Sequence, residues 1–380
     1  MKTNCIVLLG IGHTNAEVLE RWAKSPIPNC RLVCLSKFPF ATYSGMLPGT
    51  LANQFSTDQM QIALSPLCQL AGAELILDEV TGLDTDRNAI QFANRSPLAF
   101  DVLSIGIGSV PIGGDQFSSA NMVPIKPMQT FITRLDEHLA QWAPTSKPVR
   151  RDGRDSPVIA VVGGGVAGVE VACCVRARLL ERFPQRKPCV RIVTGGQEIA
   201  GGMTDRSIVK LRRELSRQSI EVVTGFRVID VQDRCLVDAD GHVQPADVAI
   251  WATGADAPPL LRKLNLPTDD NGFLATDTTL RTTAGKPIFV VGDSGTIVSH
   301  PSAKAGVYAV RQAPILWHNL NAIVNGQPLI EFIPQKDFLK ILNTGQGKAL
   351  LQYRQFSFHA RWCWKIKAWI DRGFINRYQT

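Results

Sequence analysis

Ile6-Val7-Leu8-Leu9-Gly10-Ile11-Gly12-His13-Thr14-Asn15 is one of two stretches that decide the fold. The other is Val158-Ile159-Ala160-Val161-Val162-Gly163-Gly164-Gly165-Val166-Ala167-Gly168-Val169-Glu170. Each is a short apolar run, broken by glycines, that opens a helical pattern. The first glycine permits the tight turn. The second lets the backbone approach a pyrophosphate at the helix N-terminus, and the third lets helix and strand pack closely. One such stretch is a weak signal. Two of them, about 150 residues apart, predict two dinucleotides on one chain.

Outward from the first stretch, residues 5–9 read as a strand, 14–24 as a helix and 31–36 as a second strand. Residues 57–71 read as a helix, and 73–80 and 88–92 as strands. Asp101–Ser109 reads as a strand running into a glycine loop. Outward from the second, helix 167–182, strand 189–194 and helix 205–218 repeat the pattern, and strands near 220–224, 227–232 and 235–238 follow. Ala246–Gly254 and Pro287–Gly292 close the series as strands, before a helix over 303–324. Alternating strands and helices predict an α/β fold with parallel sheets. We read two Rossmann-like, doubly wound units with the second inserted in the first, plus a small C-terminal module. The first unit is expected over 1–125 and 280–330, the second over 126–279 and the module over 331–380. Residues 144–157, rich in Pro, Arg and Asp, read as an exposed linker.

The composition excludes several classes. With 45% hydrophobic and 19% charged residues, the chain is that of a soluble globular protein. No apolar run approaches the ~20 residues of a membrane span. The opening Met1–Cys5 runs into the first strand without a cleavage pattern, so a cytoplasmic location is expected. The nine cysteines show neither CxxC nor metal spacing and read as buried structural thiols in a reducing compartment; no metal is expected. From Gln335 onward nine basic residues face two acids, which accounts for most of the net charge of +8. One local basic face is therefore expected, not a diffuse nucleic-acid surface.

Ile288-Phe289-Val290-Val291-Gly292-Asp293 is the third marker. An acid at the carboxyl end of a parallel strand sits at the ligand crevice, where it accepts hydrogen bonds from ribityl or ribose hydroxyls. The other reading is an ordinary turn aspartate. The order of first fingerprint, second fingerprint, Ala252-Thr253-Gly254 and Gly292-Asp293 resembles the two-dinucleotide flavoproteins, which include the pyridine nucleotide-disulfide oxidoreductases and the type II NADH dehydrogenases. The resemblance covers nearly the whole chain. It implies FAD held by Gly10, Gly12 and Asp293, with Asn15, Ser36, Ser44, Gly45, Gly108, Ala305 and Gly306 around it. It implies NAD(P)H held by Gly163, Gly165 and Gly168, with Thr194 and Gly254 beside it. Tyr43–Gly49, Asp101–Ser104, Lys304–Val307 and the Trp-rich tail resemble more closely the type II NADH dehydrogenase-like proteins that occur alone or fused ahead of selenophosphate synthase. The stretch to Thr380 holds no such partner.

Several positions depart from the family pattern. The disulfide branch places a cysteine pair beside the flavin after the second strand, and Ser36–Gly49 holds none. That argues against a dithiol relay. Sulfide:quinone oxidoreductase chemistry also needs cysteines near the flavin and is disfavoured. Asn15 replaces the third glycine of the first fingerprint, which predicts looser packing. Ser36 replaces the acid that binds the adenosine ribose. Thr194-Gly195-Gly196 carries neither an acid to favour NAD nor a clear arginine for NADP; Glu198 would serve if the loop turned back.

Glu170 follows the last glycine by two positions. The resemblance puts such a glutamate near the nicotinamide and flavin; the alternative is a solvated first-turn acid that favours the helix dipole. Lys304 adds to the positive end of the helix expected after Pro301, or is a solvated charge. In His359–Phe374 the residues Trp362, Ile366, Trp369 and Ile370 form one stripe, flanked by Arg361, Lys365, Lys367 and Arg372. This basic amphipathic helix suits an anionic bilayer interface, or packs on the body or on a second subunit. A homodimer is compatible with either case. The functional expectation is an FAD-dependent NAD(P)H oxidoreductase that passes two electrons to a quinone, peripheral on the cytoplasmic membrane face. The rivals are a soluble reductase of a small redox protein and a flavin sensor or accessory protein linked to selenium metabolism.

Overall fold

The computed structural model describes residues 3–114, 116, 119–142 and 156–379. The linker read at 144–157 lies, but for its last two residues, outside the described residues. Asn4–Leu9 forms the centre of a five-stranded parallel sheet, in the order Ile288–Val290, Val102–Ile105, Asn4–Leu9, Cys30–Ser36 and Glu74–Leu77. Its strands are continuous apolar runs because both faces are covered. Ile6 and Leu8 face the helix side, where His13–Lys24 lies against Gly306–Val324 and Trp22 meets Trp317 edge to face at 6.3 Å. Cys5, Val7 and Leu9 face a second core with Leu83, Ile90, Leu261 and Phe273.

The second sheet repeats the plan around Val158–Val162, in the order Met122–Pro124, Val248–Trp251, Val158–Val162, Cys189–Val193 and Ile220–Val223, again all parallel. Ile159 and Val161 join the large core, while Ala160 and Val162 meet Phe226 and, from a small antiparallel sheet, Val231 and Leu236. Met122–Pro124 lies in the second sheet, and Ala257–Leu274 packs under the first. The first crossing falls a few residues before the boundary 126 read from the sequence, and the return, by Ala257, well before the boundary 280.

Three expectations change. The stretch 57–71 is not one helix: Gln61–Ala63 pairs as a strand with Phe40–Thr42, and the helix runs only from Leu64 to Leu70. Pro66 falls in its first turn, where the missing N–H costs nothing. The helix expected from 303 starts at Gly306. The last fifty residues contain an antiparallel sheet of Lys340–Asn343, Ala349–Tyr353 and Phe356–Ala360 before the helix Arg361–Ile375. That helix buries Cys363, Lys367, Ala368, Asp371, Phe374 and Ile375 against the body. It leaves Trp362, Trp369 and Ile370 exposed, Trp369 at 76%. Packing on the body and an exposed tryptophan stripe therefore coexist on opposite faces.

Candidate functional site

A cavity of about 580 Å³ opens at the carboxyl ends of the first sheet, within the ~300–1,000 Å³ usual for ligand sites. Gly10, Gly12, Asn15, Ser36, Ser44, Gly108, Asp293 and Gly306 line it. Gly10 has φ +79°, and a Cβ there would stand 2.7 Å from the Gly106 carbonyl oxygen. Only glycine lets these two loops approach. Gly108, also at positive φ, faces open space. The helices starting at His13 and Gly306 both bring their N-terminal turns to this cavity, which suits it to an anion such as a pyrophosphate.

Asn15 corrects the expected looser packing. It is 1% exposed. Its amide donates to the Gly10 carbonyl at 2.7 Å, and its oxygen accepts from Ser104 Oγ at 2.8 Å. The asparagine therefore ties the fingerprint turn to the neighbouring strand, where the usual glycine would only make room. Ser36 keeps its place on the lining, but its hydroxyl is spent locally, donating to Phe38 O and accepting from Phe38 N. Asp78 and Glu79, just past the adjoining strand, line the cavity beside it. They were missed because their strand's alignment with Ser36 is a register fact.

Asp293 is held from one side. Ser109 Oγ donates to its carboxylate at 2.8 Å, Lys126 Nζ donates to Ser109 Oγ at 2.7 Å, and Lys126 stands 3.8 Å from Asp293. Burial pulls the Lys126 ammonium below its usual range, against the Asp293 charge. His13, also missed, lines the cavity 3.4 Å from Ser44 Oγ, and burial pushes it down to about 4, so it is neutral at pH 7. Gly45 and Ala305 are not on the lining. Gly45 O accepts from Lys367 Nζ at 2.8 Å, and Ala305 precedes the helix at Gly306. Lys304 is neither solvated nor in the cavity: it donates to Gly295 O and Thr296 Oγ1 and sits over the Phe273 ring. Burial takes it down to about 8.

In the second unit the glycines do the packing. A Cβ on Gly168 would stand 1.9 Å from Gly163 O, and one on Gly163 2.2 Å from Ala252 O, whereas Gly165 faces open space. Thr194 lies against Gly164, and Ile112 N donates to Gly254 O at 2.8 Å, joining the two units. Glu170 is not a solvated acid. It is half-buried, and Asn343 N donates to its Oε1 at 2.7 Å. Burial raises its carboxyl to about 7, against the nearby Lys367 charge and the Asn343 bond. Lys367 Nζ binds Asp371 at 3.0 Å, and Tyr43 OH donates to Asp371 at 3.2 Å. Burial pulls Lys367 down, but Glu170 and Asp371 outweigh it and the net shift is upward; burial raises Asp371. One ammonium thus faces two carboxyls in a dry setting. Near pH 7 that favours one of them staying protonated.

A second cavity, of about 380 Å³, adjoins this cluster; Gln54, Trp364, Lys365, Ala368, Trp369 and Arg372 are among its lining. Gln54 accepts from the Asn343 side-chain amide at 2.7 Å, so one residue links this cavity to Glu170.

The sequence pattern of the pyridine nucleotide-disulphide oxidoreductases matches residues 6–313, and the chain belongs to this family of oxidoreductases. A demethylphylloquinone reductase of Synechocystis is 28% identical over 66% of this chain and 62% of its own length, so the chain spans under two thirds of that relative. An NADH dehydrogenase-like protein of Bacillus subtilis is 21% identical over 90% of both chains. Among solved structures, NDH2 of Plasmodium falciparum in complex with NADH superposes with a TM-score of 0.81, at 15% identity, over 99% of this chain and 97% of that one. The sulfide:quinone oxidoreductase of Aquifex aeolicus also gives 0.81, at 16% identity, over 99% and 91%. At such identities the likeness is one of fold. No helix among the described residues is long and apolar enough to cross a membrane.

Proposed function

We propose that this oxidoreductase takes a hydride from NAD(P)H at its second unit and delivers two electrons, through FAD in the first unit, to a quinone. The observation that carries this reading is the cluster of half-buried Glu170 and Tyr43 around the buried Lys367–Asp371 pair, which connects through Asn343 to the aromatic outer cavity.

FAD fits the larger cavity, because Gly10 and Gly12 clear a backbone approach at a helix N-terminus and Asp293 presents a carboxylate for ribityl hydroxyls. When bound, FAD supplies the two-electron chemistry. In our reading Gly10, Gly12, Asn15, Gly108, Asp293 and Gly306 hold it, with Ser36 and Ser44 at the margins. Gly163, Gly165 and Gly168 receive the nicotinamide dinucleotide, with Thr194 and Gly254 beside it. The outer segments of the chain form the FAD unit, the inserted segment the NAD(P)H unit, and residues 331–380 the acceptor side.

Reduction of a quinone consumes protons as well as electrons. Glu170, raised to about 7, exchanges a proton near neutral pH, and Lys367 balances the charge left when it is released. Lys304 takes no part; its ammonium holds the turn at Gly295. None of the residues lining the larger cavity is a cysteine, which supports quinone over sulfide or a dithiol as the acceptor class. The exposed Trp362, Trp369 and Ile370 beside Lys365 and Arg372 suit peripheral contact with an anionic membrane face, where quinone is dissolved.

The test is an anaerobic titration of the purified protein with NADH and then NADPH, followed at the flavin band, with a soluble quinone added last. Bleaching by a nicotinamide nucleotide and recovery with quinone is the expected result. A yellow protein that neither nucleotide bleaches overturns the reading.

A further inference from the structure

We propose that the second unit selects the 2′-phosphorylated coenzyme, NADPH, and that Arg227 is the residue that reads the 2′-phosphate. The inference rests on the reading of that unit as a nicotinamide nucleotide site.

In a doubly wound unit the adenosine ribose lies off the carboxyl end of the second strand, and a carboxylate there favours an unphosphorylated ribose. Here that strand is Cys189–Val193, and it runs into Thr194-Gly195-Gly196-Gln197-Glu198. Thr194 Oγ1 accepts from Gly196 N at 3.2 Å, so it is tied to its own turn. The first acid, Glu198, does not turn back to the strand end. Its Oε1 accepts from Ile199 N at 2.8 Å and from both Nε and Nη2 of Arg212, at 2.9 and 2.5 Å. The loop therefore carries no free carboxylate to repel a phosphate.

An arginine reaches this place from the loop after the neighbouring strand. After Ile220–Val223 the chain folds back on the loop, Phe226 N donating to Thr194 O and Gly225 N to Gly196 O, both at 3.0 Å. This sets Arg227 on Gly195: a Cβ on that glycine would stand 3.1 Å from Arg227 Cβ and 3.4 Å from its Cγ. The aliphatic stem lies on the glycine and the residue is exposed. Among the described residues no carboxylate pairs with it within 4.0 Å. A guanidinium so placed is a bidentate partner for a phosphate monoester, and it is the charge an NADPH site needs. The sequence hid it because Arg227 is 33 positions beyond Thr194 and in the loop after another strand.

The experiment is calorimetric titration of the purified full chain with 2′,5′-ADP and with 5′-ADP, repeated for Arg227→Ala and Arg227→Lys, alongside KM for NADPH and NADH. Wild type is expected to bind 2′,5′-ADP at least about tenfold more tightly. Arg227→Ala should weaken 2′,5′-ADP by about 10- to 100-fold, leave 5′-ADP within about twofold and raise only the KM for NADPH; lysine should restore part of the loss. Equal affinity of wild type for the two probes, or an equal effect of Arg227→Ala on both, overturns the inference while leaving the nucleotide site standing. Binding of neither probe, with no flavin bleaching by either coenzyme, overturns the site reading itself and the inference with it.

Discussion

Glu17 and Glu170 hold the same place, each two residues past the third fingerprint position and fifth in its helix. Their surroundings differ. Glu17 is buried but meets two half-exposed arginines, Arg21 at 2.7 Å and Arg377 at 3.8 Å. Glu170 lies under the C-terminal module, bonded to Asn343 and facing a Lys367–Asp371 pair that is almost wholly buried. The position before each glutamate pair contrasts as well. Asn15 pins its turn with two hydrogen bonds, whereas Gly168 packs against backbone. The same local sequence thus yields an arginine-paired acid in one unit and, in the other, an acid whose carboxyl is raised to about 7. What separates them is the partner: two half-exposed guanidiniums serve Glu17, whereas Glu170 faces a buried ammonium already shared with Asp371.

The largest test removes the buried cation. Lys367→Met strands Asp371 and Glu170 and should cost about 3–5 kcal/mol, read as a marked fall in melting temperature. Arg377→Met at the first unit removes a half-exposed partner and should cost less than about 1 kcal/mol. Equal losses would break the comparison.

Glu170→Gln tests the proton. The folded pKa lies above the ordinary 4.5, so the carboxyl's favourable contribution is complete below about pH 4.5 and is lost as pH rises through about 7. The stability of wild type relative to Glu170→Gln should therefore fall by on the order of 3 kcal/mol across that interval and then level off. Denaturant unfolding at a series of pH values measures it, and a flat difference would show that Glu170 titrates normally.

Next in size are Asn15→Ala and Gly168→Ala. The first leaves Gly10 O and Ser104 Oγ without a partner, at about 1–3 kcal/mol; the second overpacks a backbone contact at a similar cost. Flavin retention should drop only in the first, and nicotinamide nucleotide binding only in the second. Crossed effects would sink the separation of roles. The smallest change in stability, within about 0.5 kcal/mol, is expected for Trp369→Ala, which should still weaken cosedimentation with anionic vesicles. Undiminished vesicle binding would remove the membrane role from the exposed stripe.

Much of the fold was legible from residues alone. The two glycine turns mark the centres of the two parallel sheets, because the strand, turn and helix they demand are local. The broken helix at 57–71 was not legible, since a distant partner, Phe40–Thr42, draws Gln61–Ala63 into a strand. The C-terminal sheet also escaped: its strands are short, and the turns between them rest on left-handed residues at Gly345, Gln346, Gly347 and Arg354. Lys304 misled for a related reason. A lysine before a helix can serve the helix terminus or a nearby turn, and only the Gly295 carbonyl, brought close by the fold, chose the turn.

From its residues the chain specifies two dinucleotide folds and glycines where a backbone must come close, because φ, hydrophobic period and turn chemistry act over a few positions. Which lysine faces Glu170 and which arginine stands over Gly195 were decided by packing. Desolvation and charge pairing depend on what lies above a side chain, and here those neighbours come from segments up to 200 residues away.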